Sequence, residues 1–341
     1  MGSAALEDSI VHISIMTAMW WIKFFTCMMF FSCKMQMANQ QTEKQPAMVL
    51  QMKQYDNEPI YRLKVSSSLS YRVKVNGITT ATKNQNAGED RWFLFNNCIP
   101  AQGLQDIEIA VLPAMNGAGT QYQPFIGNKG FFELEVELVS WKNGSLTEPE
   151  VVFKYELPAA DYTNKSVVLV QDKFTAKVPY QLVDWRKGLR LTSIDSDRLK
   201  EAVMQSYQKL KSQFEQQQGE AFVKLVEAGM FNIAQSAYLT PEEFDKMKSD
   251  KAAFINKQVR ELESFDNYTL EITGDDKLVS LRRVDGYNAN EGVLRRRYTK
   301  GGQETVHIDD IVWYAPPASD SVGFPELKVV VYQNLVKPFC P

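Results

Sequence analysis

The sequence predicts a mixed fold, an N-terminal antiparallel β-sandwich followed by an α+β domain of helices packed on an antiparallel sheet. Three observations carry that expectation. Between Tyr61 and Leu191, about eight short segments alternate apolar with polar residues, turn signals separate them, and no helical period intervenes. From Asp195 the apolar spacing lengthens to that of a helix and holds to Leu262. After Asn267 the alternation returns, and helices followed by a meander of strands mark an α+β arrangement.

At 341 residues the chain suits two domains, each large enough for its own core. With 44% hydrophobic and 23% charged residues it has a globular composition. A formal charge of −3 supplies no basic stripe to neutralise phosphates, and no nucleic-acid motif occurs, which excludes nucleic acid as a partner. The boundaries expected are a leader over 1–38, a tether over 39–56, the sandwich over 57–194 and the α+β domain over 195–341.

The leader comes first. From Ile10 to Cys33 the chain is almost continuously apolar, interrupted by His12 and Lys23. A central lysine costs a membrane helix about 2.5–3.5 kcal/mol, whereas a signal peptide needs a positive charge followed by about 7–15 apolar residues. Read from Met19, Lys23 is that charge and FFTCMMFFS the apolar stretch. Glu7 and Asp8 put negative charge where a signal carries positive charge, so the simplest start of translation is Met16 or Met19. FFSC, ending at Cys33, resembles a loose bacterial lipobox, although Phe30 and Phe31 depart from its preference for Leu and a smaller residue. Lipidation at Cys33, a conventional cut after Ala38, and an uncleaved membrane anchor are the outcomes this segment favours over a folded internal helix. Either cut leaves NQQTEKQPA as a polar tether. With Cys27 removed and Cys33 lipidated, Cys98 and Cys340 are left, and an oxidising periplasm would permit their pairing; the alternative is a buried Cys98 and a frayed Cys340.

In the body, FFELEVELVSW (131–141) is the plainest strand, with Phe132, Leu134, Val136 and Leu138 facing inward and Glu133, Glu135 and Glu137 facing water. Val151, Phe153, Tyr155 and Leu157 repeat the pattern. YRLKV, LSYRVKVNG, DRWFLF, DIEIAVLP, SVVLV and GLRLT read as further strands, with turns at Asn76-Gly77, Asn116-Gly117, Gly127-Asn128 and Asn143-Gly144. Such punctuation suits a jelly-roll or immunoglobulin-like layout. YRVKVNGI followed by LFNNCIPAQGLQDIEIAVLP is similar to the paired strands of jelly-roll modules attached to glycan-active enzymes, with Gln105 standing where those carry Asn. That resemblance implies architecture, not sugar binding.

Leu199, Val203, Tyr207, Leu210 and Phe214 fall at helical spacing behind a cap at Asp195 or Ser196, and Gly219 breaks or bends the helix. A second helical stretch covers 220–238. Thr240, Pro241 and Glu243 form a capping-box start for a third helix, whose inner face is Phe244, Met247, Phe254, Ile255 and Leu262. YTLEIT, KLVSLRRV, GVLRRRY, TVHIDDIVWY and ELKVVVYQNLV then read as strands, forming either their own sheet or the completion of the first sandwich.

Chemistry is sparsely signalled. Beyond the leader His307 is the one histidine, which removes most Ser/His/Asp, Cys/His and zinc sites. In HIDD (307–310), His307 and Asp309 share a strand face, and a solvated face with a bulge is preferred to a base–carboxylate pair. Arg282, Arg283, Arg295, Arg296 and Arg297 lie on two strands expected to pair across DGYNANEG, whose Tyr287 and Asn288 add an aromatic anchor and an amide. Arg282, Arg283, Tyr287, Asn288, Arg295 and Arg297 are the candidate partner-binding residues, against cross-strand ion pairing as the bland alternative. No catalytic residue, metal site or cofactor is expected. Sequons at Asn143, Asn164 and Asn267 matter only in a eukaryotic secretory pathway.

These readings converge on an exported, lipid-anchored protein of the bacterial cell envelope, in the periplasm or on the outer membrane. It would act without catalysis by binding a protein or glycan, held to the membrane by its lipid or its N-terminal segment. A periplasmic immunity or inhibitor protein and a histidine-poor carboxylate glycan hydrolase are the alternatives.

Overall fold

Strand alternation and one Asn-Gly turn organise the N-terminal half. The computed structural model describes residues 50–116, 121–127, 129–142, 145–257, 262–284, 290–317 and 326–338. The leader, Cys33, Cys340, Tyr287 and Asn288 lie outside the described residues. One antiparallel sheet contains β4 (Glu89–Leu94), β1 (Pro59–Ser67), β6 (Phe132–Lys142) and β7 (Ser145–Leu146), with β8 (Glu150–Glu156) also pairing β6. A second has the order β3 (Ile78–Lys83), β2 (Ser70–Val75), β5 (Gly103–Leu112), β9 (Val168–Ala176). Their apolar faces share a core in which the rings of Tyr71 and Phe132 stand 5.3 Å apart.

Asn76 and Gly77 turn β2 into β3 with φ of 49° and 81°, the left-handed pair that an Asn-Gly hairpin turn requires. Asn76 is buried yet satisfied: its Oδ1 accepts from the Asp106 amide at 3.0 Å, and its Nδ2 donates to the Cys98 carbonyl and to Gln105 Oε1. Gln105, the departure from the resembled motif, thus holds the turn from the neighbouring strand.

The C-terminal half begins with α1 (Ser196–Glu215), α2 (Gly219–Ser236) and α3 (Pro241–Asn256). Asp195 caps α1 by accepting from the Arg198 amide, and the five expected apolar positions of α1 are all buried. Thr240 and Glu243 close a capping box on α3. A third antiparallel sheet joins β10 (Tyr268–Thr273), β11 (Leu278–Arg283), β13 (Gln303–Tyr314) and β12 (Leu294–Lys300), while β14 (Lys328–Pro338) pairs the other side of β13. Among the described residues these strands pair only with one another, so they do not complete the first two sheets.

The expectation of a mixed chain with antiparallel sheets and helices is therefore met. Two local expectations are corrected. GLRLT forms no strand; a 3-10 turn at Trp185–Lys187 precedes it and a second at Leu191–Ser193 takes up its last two residues, with Trp185 and Leu191 buried inward. The arginine-bearing β11 and β12 are not ladder partners: they follow one another along β13, and β11 instead meets the segment before β12, through an Arg282–Gly292 bridge and backbone bonds of Arg283 with Asn290 and Glu291.

Residues 49–341 form one compact unit with a core cluster running across the 194/195 position. Buried Asn232 on α2 accepts from the Val183 amide and donates to the Val330 carbonyl, tying the connecting segment to β14. Trp185 donates from its indole to the Asn76 carbonyl. Lys74 reaches Glu271 at 3.0 Å. At the same place the turns at Gly77 and Gly274 meet backbone to backbone: a Cβ on Gly77 would lie 2.2 Å from the Gly274 nitrogen.

Candidate functional site

The five arginines are largely consumed within the protein. Arg282 is bound by Glu271 at 3.2 Å and Asp310 at 2.6 Å. Glu263 collects three guanidinium groups, those of Arg283 (2.9 Å), Arg295 (3.2 Å) and Arg297 (2.5 Å). Arg295 is fully buried and also meets Glu291, whereas the Arg297 side chain remains 52% exposed. Ion pairing, the bland alternative, describes these contacts, and of the candidate arginines Arg297 has the most open side chain. Replacing Arg295 with alanine removes a fully buried side chain from between Glu263 and Glu291, which keep Arg283, Arg297 and Lys337, and is expected to cost about 1–3 kcal/mol, while Arg297→Ala should cost no more than about 1 kcal/mol. Urea denaturation of the two variants separates the cases; equal costs would contradict this assignment.

HIDD belongs to a cluster that the sequence only partly signals. Asp309 is buried where β13 faces α3: its Oδ1 accepts from Lys251 Nζ at 3.1 Å and from the Tyr332 hydroxyl at 2.7 Å, and its Oδ2 accepts from Arg296 Nη1 at 2.6 Å. His307 Nε2 stands 3.7 Å from Asp309 Oδ1 but 3.0 Å from Asn334 Oδ1. The imidazole therefore bonds to the amide, and no base–carboxylate hydrogen bond forms. Burial pushes the Asp309 carboxyl up, but Lys251, His307 and Arg296 overcome it and hold the group well below the usual carboxylate range. For Lys251 burial wins, and its pKa falls below the ordinary value despite the pull of Asp309. Arg296 lies over Phe214 and Phe254 at 4.8 and 5.1 Å, and its Nη2 finds no hydrogen-bond partner among the described residues. The cluster clamps α3 onto the sheet. Lys251, Tyr332 and Asn334 carried no signal in the sequence, because each is far from HIDD and ordinary in its own segment.

The open surface lies on the outer side of the first sheet. Register places Trp92 opposite Lys64, Leu94 opposite Arg62, and Arg62 opposite Glu137, all on the face turned away from the shared core. Trp92 is 50% exposed, Leu94 74% and Trp141 58%. The Trp92 ring is backed by Arg62 at 5.6 Å and Lys64 at 6.0 Å, and its indole donates to Glu137 at 3.3 Å. Leu94, Trp141, Ile60 and Tyr238 line a groove of about 410 Å³, with Glu58, Asn97 and Gln333 also in its wall. A signal for this face existed. Trp141 continues the phase of Glu133, Glu135 and Glu137, so alternation puts a tryptophan on the wet side.

A second, polar cleft of about 530 Å³ lies beside the Gly77–Gly274 contact. Its cations are engaged internally: Lys173 with Asp106 at 2.5 Å, Arg186 with Asp184 at 2.9 Å, Lys74 with Glu271. Cys98 is a free thiol, and burial pushes its pKa up. Among the described residues no group of three or more His, Cys, Asp or Glu side chains is placed to hold a metal ion, and no helix is long and apolar enough to cross a membrane. Comparison with family models, curated proteins and solved structures finds no match to this chain.

Proposed function

We propose that this chain is an exported, non-catalytic binding module of the bacterial cell envelope, tethered by a lipid on Cys33. On this reading the first two sheets act as a face-to-face sandwich, and its outer face holds the partner. One observation carries the proposal: two half-exposed tryptophans and an open leucine share a face beside a groove. Aromatic side chains that become buried on binding are the usual energetic anchors of an interface. The carboxylate-hydrolase alternative has less support: of the carboxylates lining the polar cleft, Asp106 is already paired with Lys173. In affinity capture from native envelope extract, Trp92→Ala combined with Trp141→Ala is expected to lose the ligand retained by the wild type without shifting the thermal melt. Retention unchanged in the double variant would overturn this use of the face.

Localisation has its own test. Cells fed a labelled lipid precursor should label the wild-type protein and not Cys33→Ala. An unlabelled wild type would leave only a conventional signal or an uncleaved anchor.

A further inference from the structure

We propose that the occupant of the tryptophan-bearing face is an uncharged polysaccharide chain; this rests on the binding-module reading and names its partner class. Three features of the face select that chemistry.

The first is spacing. Trp92 on β4 and Trp141 on β6 are separated by two strand spacings, about 10 Å, and by about 20 Å along β1, with Leu94 between them. An extended oligosaccharide bridges such a span, and each sugar ring carries an apolar C–H face that fits the negative face of an indole. Trp92, backed on Arg62 and Lys64, offers a flat and supported ring.

The second is charge. The ions between the two tryptophans are already matched: Arg62 with Glu137 at 2.6 Å, Lys64 with Glu135 at 3.8 Å, and Lys154 with Glu135 at 3.2 Å. An anionic partner meets no uncompensated cation among these pairs, and Glu133 on the same face repels an acidic polymer. The same ladder of ion pairs interrupts the apolar surface. A protein partner needs a contiguous dry centre, whereas a polysaccharide, apolar on its ring faces and polar at its edges, accommodates the alternation.

The third is the hydrogen-bonding equipment of the groove. The amides of Asn97 and Gln333 each offer a donor and an acceptor, and Glu58 offers an acceptor, beside the rings of Trp141 and Tyr238. Hydroxyl groups, which donate and accept, are the complement of that set.

The test is affinity electrophoresis of the full chain through gels containing xyloglucan, β-1,3-glucan, galactomannan or α-mannan, with alginate and polygalacturonate as acidic counterparts. At least one neutral polymer should retard the wild type. Trp92→Ala and Trp141→Ala should each weaken that retardation tenfold or more, and Trp92→Phe should restore part of it. Retardation by acidic polymers alone, no retardation by any neutral polymer, or equal retardation of wild type and both alanine variants overturns the proposal. If no neutral polymer binds but the double alanine variant still loses its captured envelope ligand, the polysaccharide assignment fails while the binding module stands.

Discussion

Asp309→Ala is expected to destabilise the protein by about 3–5 kcal/mol, because it leaves Lys251 and Arg296 buried together without the anion between them. The Tyr332 hydroxyl loses its 2.7 Å acceptor in the same step. In guanidinium denaturation at neutral pH the midpoint should fall well below that of the wild type, and an unchanged midpoint would show that the cluster does not hold α3. Acid gives a second readout. The folded carboxyl is held below its unfolded value of about 4, so its stabilisation is complete above that value and is lost as pH falls through the folded one. Asp309→Asn keeps the shape and removes the titration, so its stability should fall less steeply in acid. Lys251 acts at the other end of the scale. Its folded pKa is depressed, so stability gains from that group as pH rises toward the unfolded value of about 10.4.

The second large effect is expected at Gly77. Its φ of 81° is costly for alanine, and the new methyl group would overlap the Gly274 backbone, which cannot swing aside as a side chain can. Left-handed backbone costs a residue with a Cβ about 1–2 kcal/mol, and overpacking adds about 1–3 kcal/mol. Gly77→Ala should therefore lower stability by roughly 2–5 kcal/mol. Asn76→Gly keeps the turn geometry but loses the side-chain bonds to Cys98, Gln105 and Asp106, which makes it the useful comparison. An alanine variant as stable as wild type in a calorimetric scan would mean that the two turns do not need their close approach.

Elements governed by neighbours in the chain were legible in the sequence. The Asn76-Gly77 turn, the Asp195 cap and the Thr240–Glu243 box each depend on residues within a few positions, and each forms as its residues dictate. The inward run Phe132, Leu134, Val136 was equally plain, but alternation failed to foresee that Glu137 and Val139 are buried on the other face. That face is wet only in part: Trp92 covers Glu137, and the groove wall contributed by α2 comes from a distant segment. The arginines show the same limit. A strand pattern says that Arg295 and Arg297 share a side, yet only the path of the chain around Glu263 decides that one is enclosed and the other open. The cluster at Asp309 depends on Lys251, 58 residues earlier, and on Tyr332, 23 residues later, so no window around HIDD contains it.

The meeting of the turns at Gly77 and Gly274 also sets a timetable. The neighbouring Lys74–Glu271 contact joins residues 197 positions apart. At a synthesis rate of about 5–20 residues per second, the first turn waits roughly 10–40 s before its counterpart exists. Trp185, which covers the Asn76 carbonyl, arrives about midway through that interval, and β14, which closes the last sheet against α2, arrives at the end of the chain. A nascent chain therefore has every strand of the first two sheets before their turn at Gly77 has anything to meet, and it is the third sheet that waits for β14.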